Sequence, residues 1–192
     1  MPAPTPMPDE TVRRPDVAGV HIRPAHRTDV AALADLATRT WQDEFGSSLE
    51  PEDLAVELHT RRSPEYFESA LEQTTILVAD DGRSLVGYVQ FGLVDIPAVN
   101  ASEGDMQLRR LYLDRADQGR GLGRRLIEAA LAHPALAAAG RVYLSVWEEN
   151  ERALHLYESV GFHRVGVTPY SIGDKLIGED LVLCLDRRAP SE

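Results

Sequence analysis

The chain has 192 residues, 43% hydrophobic and 27% charged, with a net charge of −11. That is enough apolar material for one domain with a full core, and it excludes a disordered composition and bulk nucleic-acid binding. No apolar run approaches the ~20 residues of a membrane span, and the N-terminal MPAPTPMPDETVRRPD has no apolar signal-peptide core. Cys184 is the only cysteine, so no disulfide framework exists within the chain, which fits a reducing cytoplasm.

In chain order, residues 1–18 are rich in proline and polar groups and read as a flexible tail, as do residues 189–192. One domain is expected over 19–188. Val20 to Pro24 alternates like a first strand. Asp29 to Trp41 spaces Val30, Leu33, Leu36, Ala37 and Trp41 along one helix face. Pro51, with Glu52 and Asp53 in the first turn, opens a second helix, and Pro64 opens a third short one through Leu71. Thr75 to Asp80 and Leu85 to Leu93 are strands joined at Asp81-Gly82, a hairpin signal. Asp95 to Gly104 reads as a loop.

Met106 to Leu113 is the fourth strand, and its alternation slips by one residue. Met106 and Leu108 share a face, as do Leu111 and Leu113, but Leu108 and Leu111 are three apart. A β-bulge near Arg109-Arg110 restores a common apolar face. A glycine-rich turn, Gln118-Gly119-Arg120-Gly121-Leu122-Gly123, then leads into an amphipathic helix from Gly121 to His133, ended or kinked at Pro134. A strand feeding such a turn at a helix N-terminus is a cradle for an anion, because the first-turn N–H groups are unpaired and the helix dipole favours negative charge. Six arginines lie between Arg109 and Arg125, against Asp114 and Asp117, which points to a small anionic ligand. The turn lacks the Gly-Lys-Ser/Thr of a nucleotide-triphosphate loop, and its Gly119, Gly121, Gly123 spacing is not the dinucleotide fingerprint. Val142 to Trp147 is a fifth strand. Asn150 suits a helix N-cap, Glu151 to Val160 a short helix stopped by Gly161, and Phe162 to Val167 and Asp180 to Leu185 the last strands.

Two of these motifs carry a resemblance. Gln118-x-x-Gly121-x-Gly123 and, about 30 residues later, the run from Leu144 through Asn150, Ala153 and Tyr157 to Gly161-Phe162 resemble the GNAT superfamily of acyl-CoA-dependent N-acyltransferases over residues 20–187. Further segments resemble its bacterial spermidine/spermine N-acetyltransferase branch. They are Thr40-Trp41-x-x-Glu44-Phe45-Gly46, Pro51-Glu52-Asp53-Leu54, Ser63-Pro64-Glu65, Trp147 to Ala153 and Gly173-Asp174. Ile177-Gly178-Glu179-Asp180-Leu181 departs from that branch.

The resemblance implies an α/β fold with a mixed, partly splayed central sheet and helices on both faces. It implies acetyl-CoA as acyl donor, its pyrophosphate held by Gln118, Gly119, Arg120, Gly121, Leu122, Gly123 and Arg124. Gly121 and Gly123 are expected to be glycine so that the backbone can approach phosphate. The pantetheine amides would pair with Leu111, Tyr112 and Leu113, a backbone N–H near Leu113 would hold the oxyanion, and Asn150 would contact the cofactor arm. Tyr157 would be the general acid for the departing thiolate, since a phenol of pKa about 10 is protonated at neutral pH. The acceptor would be a small primary amine, with polyamines foremost, and Trp41, Glu44, Phe45 and Tyr170 would line its pocket. An alkylammonium must lose a proton before it can attack, and candidate bases are Glu103, Asp105, Glu148, Glu149, Asp43 and Glu44. Other readings stay open: acetylation of a protein N-terminus or lysine, and an acyl-CoA sensor without turnover. No metal spacing is present. Neither a nucleic-acid nor a membrane partner is expected, and a homodimer through the final strands is left open.

Overall fold

The computed structural model describes residues 19–46 and 49–187. Both expected tails therefore lie outside the described residues. The elements follow as β1 (His21–Pro24), α1 (Val30–Phe45), α2 (Pro51–Arg61), α3 (Pro64–Gln73), β2 (Thr75–Asp80), β3 (Leu85–Leu93), β4 (Met106–Leu113), α4 (Leu122–Ala132), α5 (Pro134–Ala137), β5 (Arg141–Trp147), α6 (Glu151–Glu158), β6 (His163–Ile172) and β7 (Lys175–Asp186). The strands form a seven-stranded sheet in the order β1-β2-β3-β4-β5-β7-β6, antiparallel except where β4 meets β5.

The central strands are apolar on both sides because helices cover both sides. Ile76, Val78 and Tyr88 pack beneath Leu33, Leu36 and Phe67 of α1 and α3. Leu77, Ala79, Val89 and Leu108 pack under Leu122, Leu126 and Ile127 of α4. Alternate residues of β2 thus serve opposite cores, the period-2 consequence of a doubly covered sheet.

One join in the sheet is short. The parallel contact between β4 and β5 holds only two registered pairs, Met106↔Val142 and Gln107↔Tyr143. Beyond them β4 follows β3 and β5 follows β7. The reason lies at Arg109: Gln90 pairs with Arg110 and the next residue, Phe91, with Leu108, so Arg109 is the extra residue of a bulge. Bulges bend the strand that carries them, and here β4 leans away from β5, leaving the Leu108–Leu113 edge unpaired on that side.

Two elements differ from expectation. Pro134 does not merely end α4; it begins α5, capped by the His133 ring nitrogen, which accepts from Ala135 N–H at 3.3 Å. The final strands are also longer than the sequence suggests, meeting at Gly173-Asp174. Pro169 is tolerated because β6 is the edge of the sheet, and Gly173 takes the positive φ of 56° that the turn requires.

Candidate active site

The splay between β4 and β5 opens a cleft of about 1060 Å³. Its floor is the unpaired edge of β4, its upper end the Gln118–Arg124 turn, and its far wall α1, α2 and the β6–β7 hairpin. Of the residues expected to contact acetyl-CoA, Leu111, Tyr112, Leu113, Gln118, Gly119, Gly121, Gly123, Arg124 and Asn150 all line it. Arg120 and Leu122 do not. Leu122 is fully buried in the core, so only its backbone can serve, and the Arg120 guanidinium turns to Asp117 at 2.9 Å.

Gly121 is the N-cap of α4 with φ 82°, and no side chain caps the helix. The first-turn N–H groups are left to an incoming acceptor. Each glycine also has a reason of its own in the fold. Gly121 is required by its left-handed backbone, and the space where its Cβ would sit is open. Gly123 is required by packing: a Cβ there would stand 3.0 Å from Leu156 and 3.2 Å from Leu113, so it sets how closely α4 sits on β4 and α6. Gly121→Ala is expected to destabilise the fold by about 1 kcal/mol, the lower end of the left-handed penalty. It should also weaken acetyl-CoA binding about tenfold by turning the first-turn amides, as read by calorimetric titration.

The arginine-rich segment does not form one positive patch. Arg109 pairs with Asp95 at 2.7 Å, and Arg125 donates to the Val20 carbonyl at 2.8 Å. Arg110 lies over the Tyr66 ring at 4.3 Å and donates to the Arg61 carbonyl at 2.6 Å. Arg115 and Arg124 remain at the cofactor end of the cleft, joined by Arg152 of α6, which donates to the Gln118 side-chain carbonyl. Asp43 and Glu44 beside Phe45, Glu148 and Glu149 beside Trp147, and Glu179 and Asp180 on β7 also line the cleft, as do Arg61, Arg62 and Arg110. The cleft is thus cationic where phosphates would lie and rimmed with acids beside its aromatic wall.

Tyr157 lies where α6 meets the floor. It is 6% exposed, its ring edge-on to Phe162 at 5.8 Å, and it also lines the cleft. Burial, and secondarily the Tyr112 phenol, pushes its pKa up, so it stays protonated well above neutral pH. Asn150 is the N-cap of α6, accepting from Ala153 N–H at 3.0 Å, while its amide nitrogen lies 3.4 Å from Glu44.

The acceptor wall is aromatic. Phe45 sits between Trp41 at 5.1 Å and Trp147 at 5.6 Å. Trp41 is 2% exposed and covered by the Arg62 guanidinium at 4.4 Å. Arg62 in turn binds Glu57 and donates to the Tyr112 hydroxyl at 3.2 Å. Tyr170 lines the same wall, its pKa raised by burial and by Glu57.

Two of the candidate bases fall away. Glu103 and Asp105 lie at the closed end of β4, outside the cleft. Asp105 is buried and held by Arg141 at 2.8 Å. Burial alone would raise its pKa, but hydrogen bonds from Ser102 N–H and Arg141 outweigh that and hold it low. Four site residues escaped the sequence reading: Glu57, Arg62, Arg152 and Asp180. For Asp180 a signal existed, since it falls in phase with the apolar Val182 and Cys184 on β7, where a carboxylate at an inward position is unusual. Glu57, Arg62 and Arg152 carried none, because helix-surface charges are ordinary.

Comparison with known proteins agrees with this geometry. The profile of the acetyltransferase (GNAT) family matches residues 30–162. An uncharacterised N-acetyltransferase of Lactobacillus delbrueckii subsp. lactis is 26% identical over 160 residues, 82% of this chain and 92% of that protein. The spermine/spermidine N(1)-acetyltransferase of Bacillus subtilis is 34% identical over 98 residues, half of this chain and 64% of that enzyme. The crystal structure of PaiA N-acetyltransferase from Thermoplasma acidophilum, in complex with coenzyme A, shares the fold with a TM-score of 0.70 at 17% identity, over 87% of this chain and 98% of that one. A family profile over most of the chain, on a splayed sheet with an uncapped glycine-turn helix, places this protein in the acetyltransferase (GNAT) family, as an acetyltransferase whose acyl donor is acetyl-CoA.

Proposed function

We propose that the enzyme acetylates a primary amine of a small molecule by direct attack, with Tyr157 as general acid, and that polyamines are the foremost acceptor class. The observation that carries this reading is the polarity of the cleft, with the open β4 edge and the glycine turn on one side and an aromatic, acid-rimmed wall on the other. Acetyl-CoA would supply an activated acyl group and a thiol leaving group. The chain's own residues do the rest. The first turn of α4 holds the pyrophosphate, and the free edge of Leu111–Leu113 accepts the pantetheine amides as an added strand. A backbone N–H near Leu113 stabilises the charge that develops on the carbonyl oxygen. Phe45, Trp147 and the rim carboxylates suit an ammonium group, which aromatic faces and anions both attract. The likeness to the Bacillus enzyme supports a polyamine, and the buried single thiol of Cys184 supports work in a reducing cytoplasm.

The test pairs calorimetric titration of acetyl-CoA with a thiol-release assay over polyamines, amino acids and peptides. Micromolar binding with release dependent on polyamine is the expected result. Release with peptides alone overturns the acceptor assignment. Binding without release to any amine marks a sensor and overturns the transferase reading.

A further inference from the structure

The proposed reaction needs a base, and β4 presents none at the bulge, where Arg109 and Arg110 stand. The carboxylates that line the cleft are not equivalent. Glu57 is committed to Arg62, with Arg61 at 3.8 Å. Glu44 touches Asn150. Asp43, Glu148, Glu149 and Glu179 are exposed to solvent at the rim. Asp180 differs from all of these. It is half-buried, it points from β7 onto the face shared with Val182 and Cys184, and no cation is paired with it among the described residues. Its register partners are Trp147 on β5 and Thr168 on β6. Thr168 is buried with its hydroxyl unpartnered among the described residues. Ser145, two residues along β5, completes an uncharged surround. On the facing wall, the charges of Glu57 and Arg62 are spent on each other.

Resting on the transferase reading above, we infer that Asp180 is the group that takes the proton from the acceptor amine. An alkylammonium gives up two protons in the reaction. The first leaves before nitrogen can attack; Asp180 takes it and passes it to solvent. Nitrogen then forms the C–N bond to the acyl carbon as the C–S bond breaks. The second nitrogen proton balances the one that Tyr157 gives to the thiolate sulfur. Burial raises the Asp180 pKa above its ordinary value, and a hydrogen bond from Ser145 draws it partly back, which makes this carboxylate a better proton acceptor than an ordinary aspartate. Activity should therefore rise with pH through the raised Asp180 pKa, above the ordinary carboxylate value of about 3.9.

The experiment uses the full chain with Asp180→Asn, Asp180→Glu and Ser145→Ala. Two acceptors are compared: the best alkylamine, and a fluorinated analogue whose amine is already neutral at the assay pH. Asp180→Asn should lower kcat/KM for the alkylamine about 100-fold or more, the range of a lost general base, with acetyl-CoA affinity unchanged. The loss should shrink to about tenfold or less for the neutral amine, and Asp180→Glu should restore part of the activity. Ser145→Ala removes a bond to the carboxylate, so the acid limb of the pH profile should move to higher pH. Because burial disfavours the charged form, the amide isostere should melt no lower than the wild type at neutral pH. The inference is overturned if Asp180→Asn keeps its alkylamine kcat/KM within about threefold, or loses equally on both amines. Should that variant fail to bind acetyl-CoA, an unmoved limb in Ser145→Ala overturns it instead. If the wild type itself turns over no amine, it is the transferase reading that has failed, and Asp180 falls with it.

Discussion

Replacing Tyr157 by Phe is expected to lower kcat about 100-fold, the low end of the range for a lost general acid. That corresponds to about 2.7 kcal/mol of transition-state stabilisation. The low end is expected because a thiolate is already a fair leaving group. Acetyl-CoA affinity should not change, since the substitution removes one hydroxyl and leaves the ring against Phe162. Stability should change little for the same reason: the hydroxyl has no hydrogen-bond partner among the described residues, so none is orphaned. The raised pKa adds a second expectation. The phenol stays protonated beyond its ordinary value of about 10, so the wild type should show no loss of activity from tyrosine ionisation between neutral pH and that value. Stopped-flow or steady-state thiol release across pH, alongside calorimetry on the same variant, checks both. A variant that loses cofactor binding with activity would show that Tyr157 serves packing and not proton transfer.

Glu57→Ala should be the most destabilising change in the acceptor wall. Glu57 and Arg62 are 2% and 4% exposed, and their ion pair lies under Trp41 and Tyr112. Removing one member of a buried pair leaves an uncompensated charge, at a cost of about 3 kcal/mol. In a domain of this size that lowers Tm by roughly 6–12 °C. The reciprocal change is milder, because Arg62→Met leaves Glu57 with Arg61, already 3.8 Å away. The double variant Glu57→Leu/Arg62→Met should recover most of the stability, since an apolar pair of similar volume needs no desolvation of charge. Thermal melts of the three proteins test the asymmetry. Kinetics on Glu57→Ala should show a raised acceptor KM with acetyl-CoA affinity intact, because the Trp41 and Tyr170 side chains depend on Arg62 and Glu57, whereas the α4 turn and the β4 backbone do not. Equal loss of both affinities would mean that α2 supports the whole cleft and not its acceptor end alone.

Much of this architecture was legible before any coordinates, and for a common reason. The slip between Leu108 and Leu111 announced the bulge at Arg109, because alternation along one strand is a local property. Pro51 and Pro64 at helix starts, Asn150 as an N-cap and the glycine turn before α4 are likewise set by the backbone needs of a few adjacent residues. The two motifs, read together, were enough to place the chain in its family. Local reasoning could not separate two glycines that look alike in sequence: Gly121 takes a positive φ, whereas Gly123 packs against Leu113 and Leu156. The last strands run beyond the Phe162–Val167 and Asp180–Leu185 read from sequence, since an edge strand tolerates Pro169.

By itself the sequence determined the order of the elements, the bulged strand and the anion-ready turn, since each rests on spacing within a dozen residues. Only the tertiary structure decided which charges act. The arginines around the turn were dispersed to Asp95, Asp117 and Val20, Arg152 was brought to Gln118 from 34 residues away, and Asp105 was spent on Arg141. Asp180 emerged as the half-buried cleft carboxylate with no cation beside it among the described residues. A charge's chemistry depends on its burial and its partner, and both are set by chain segments that meet only when the sheet has formed.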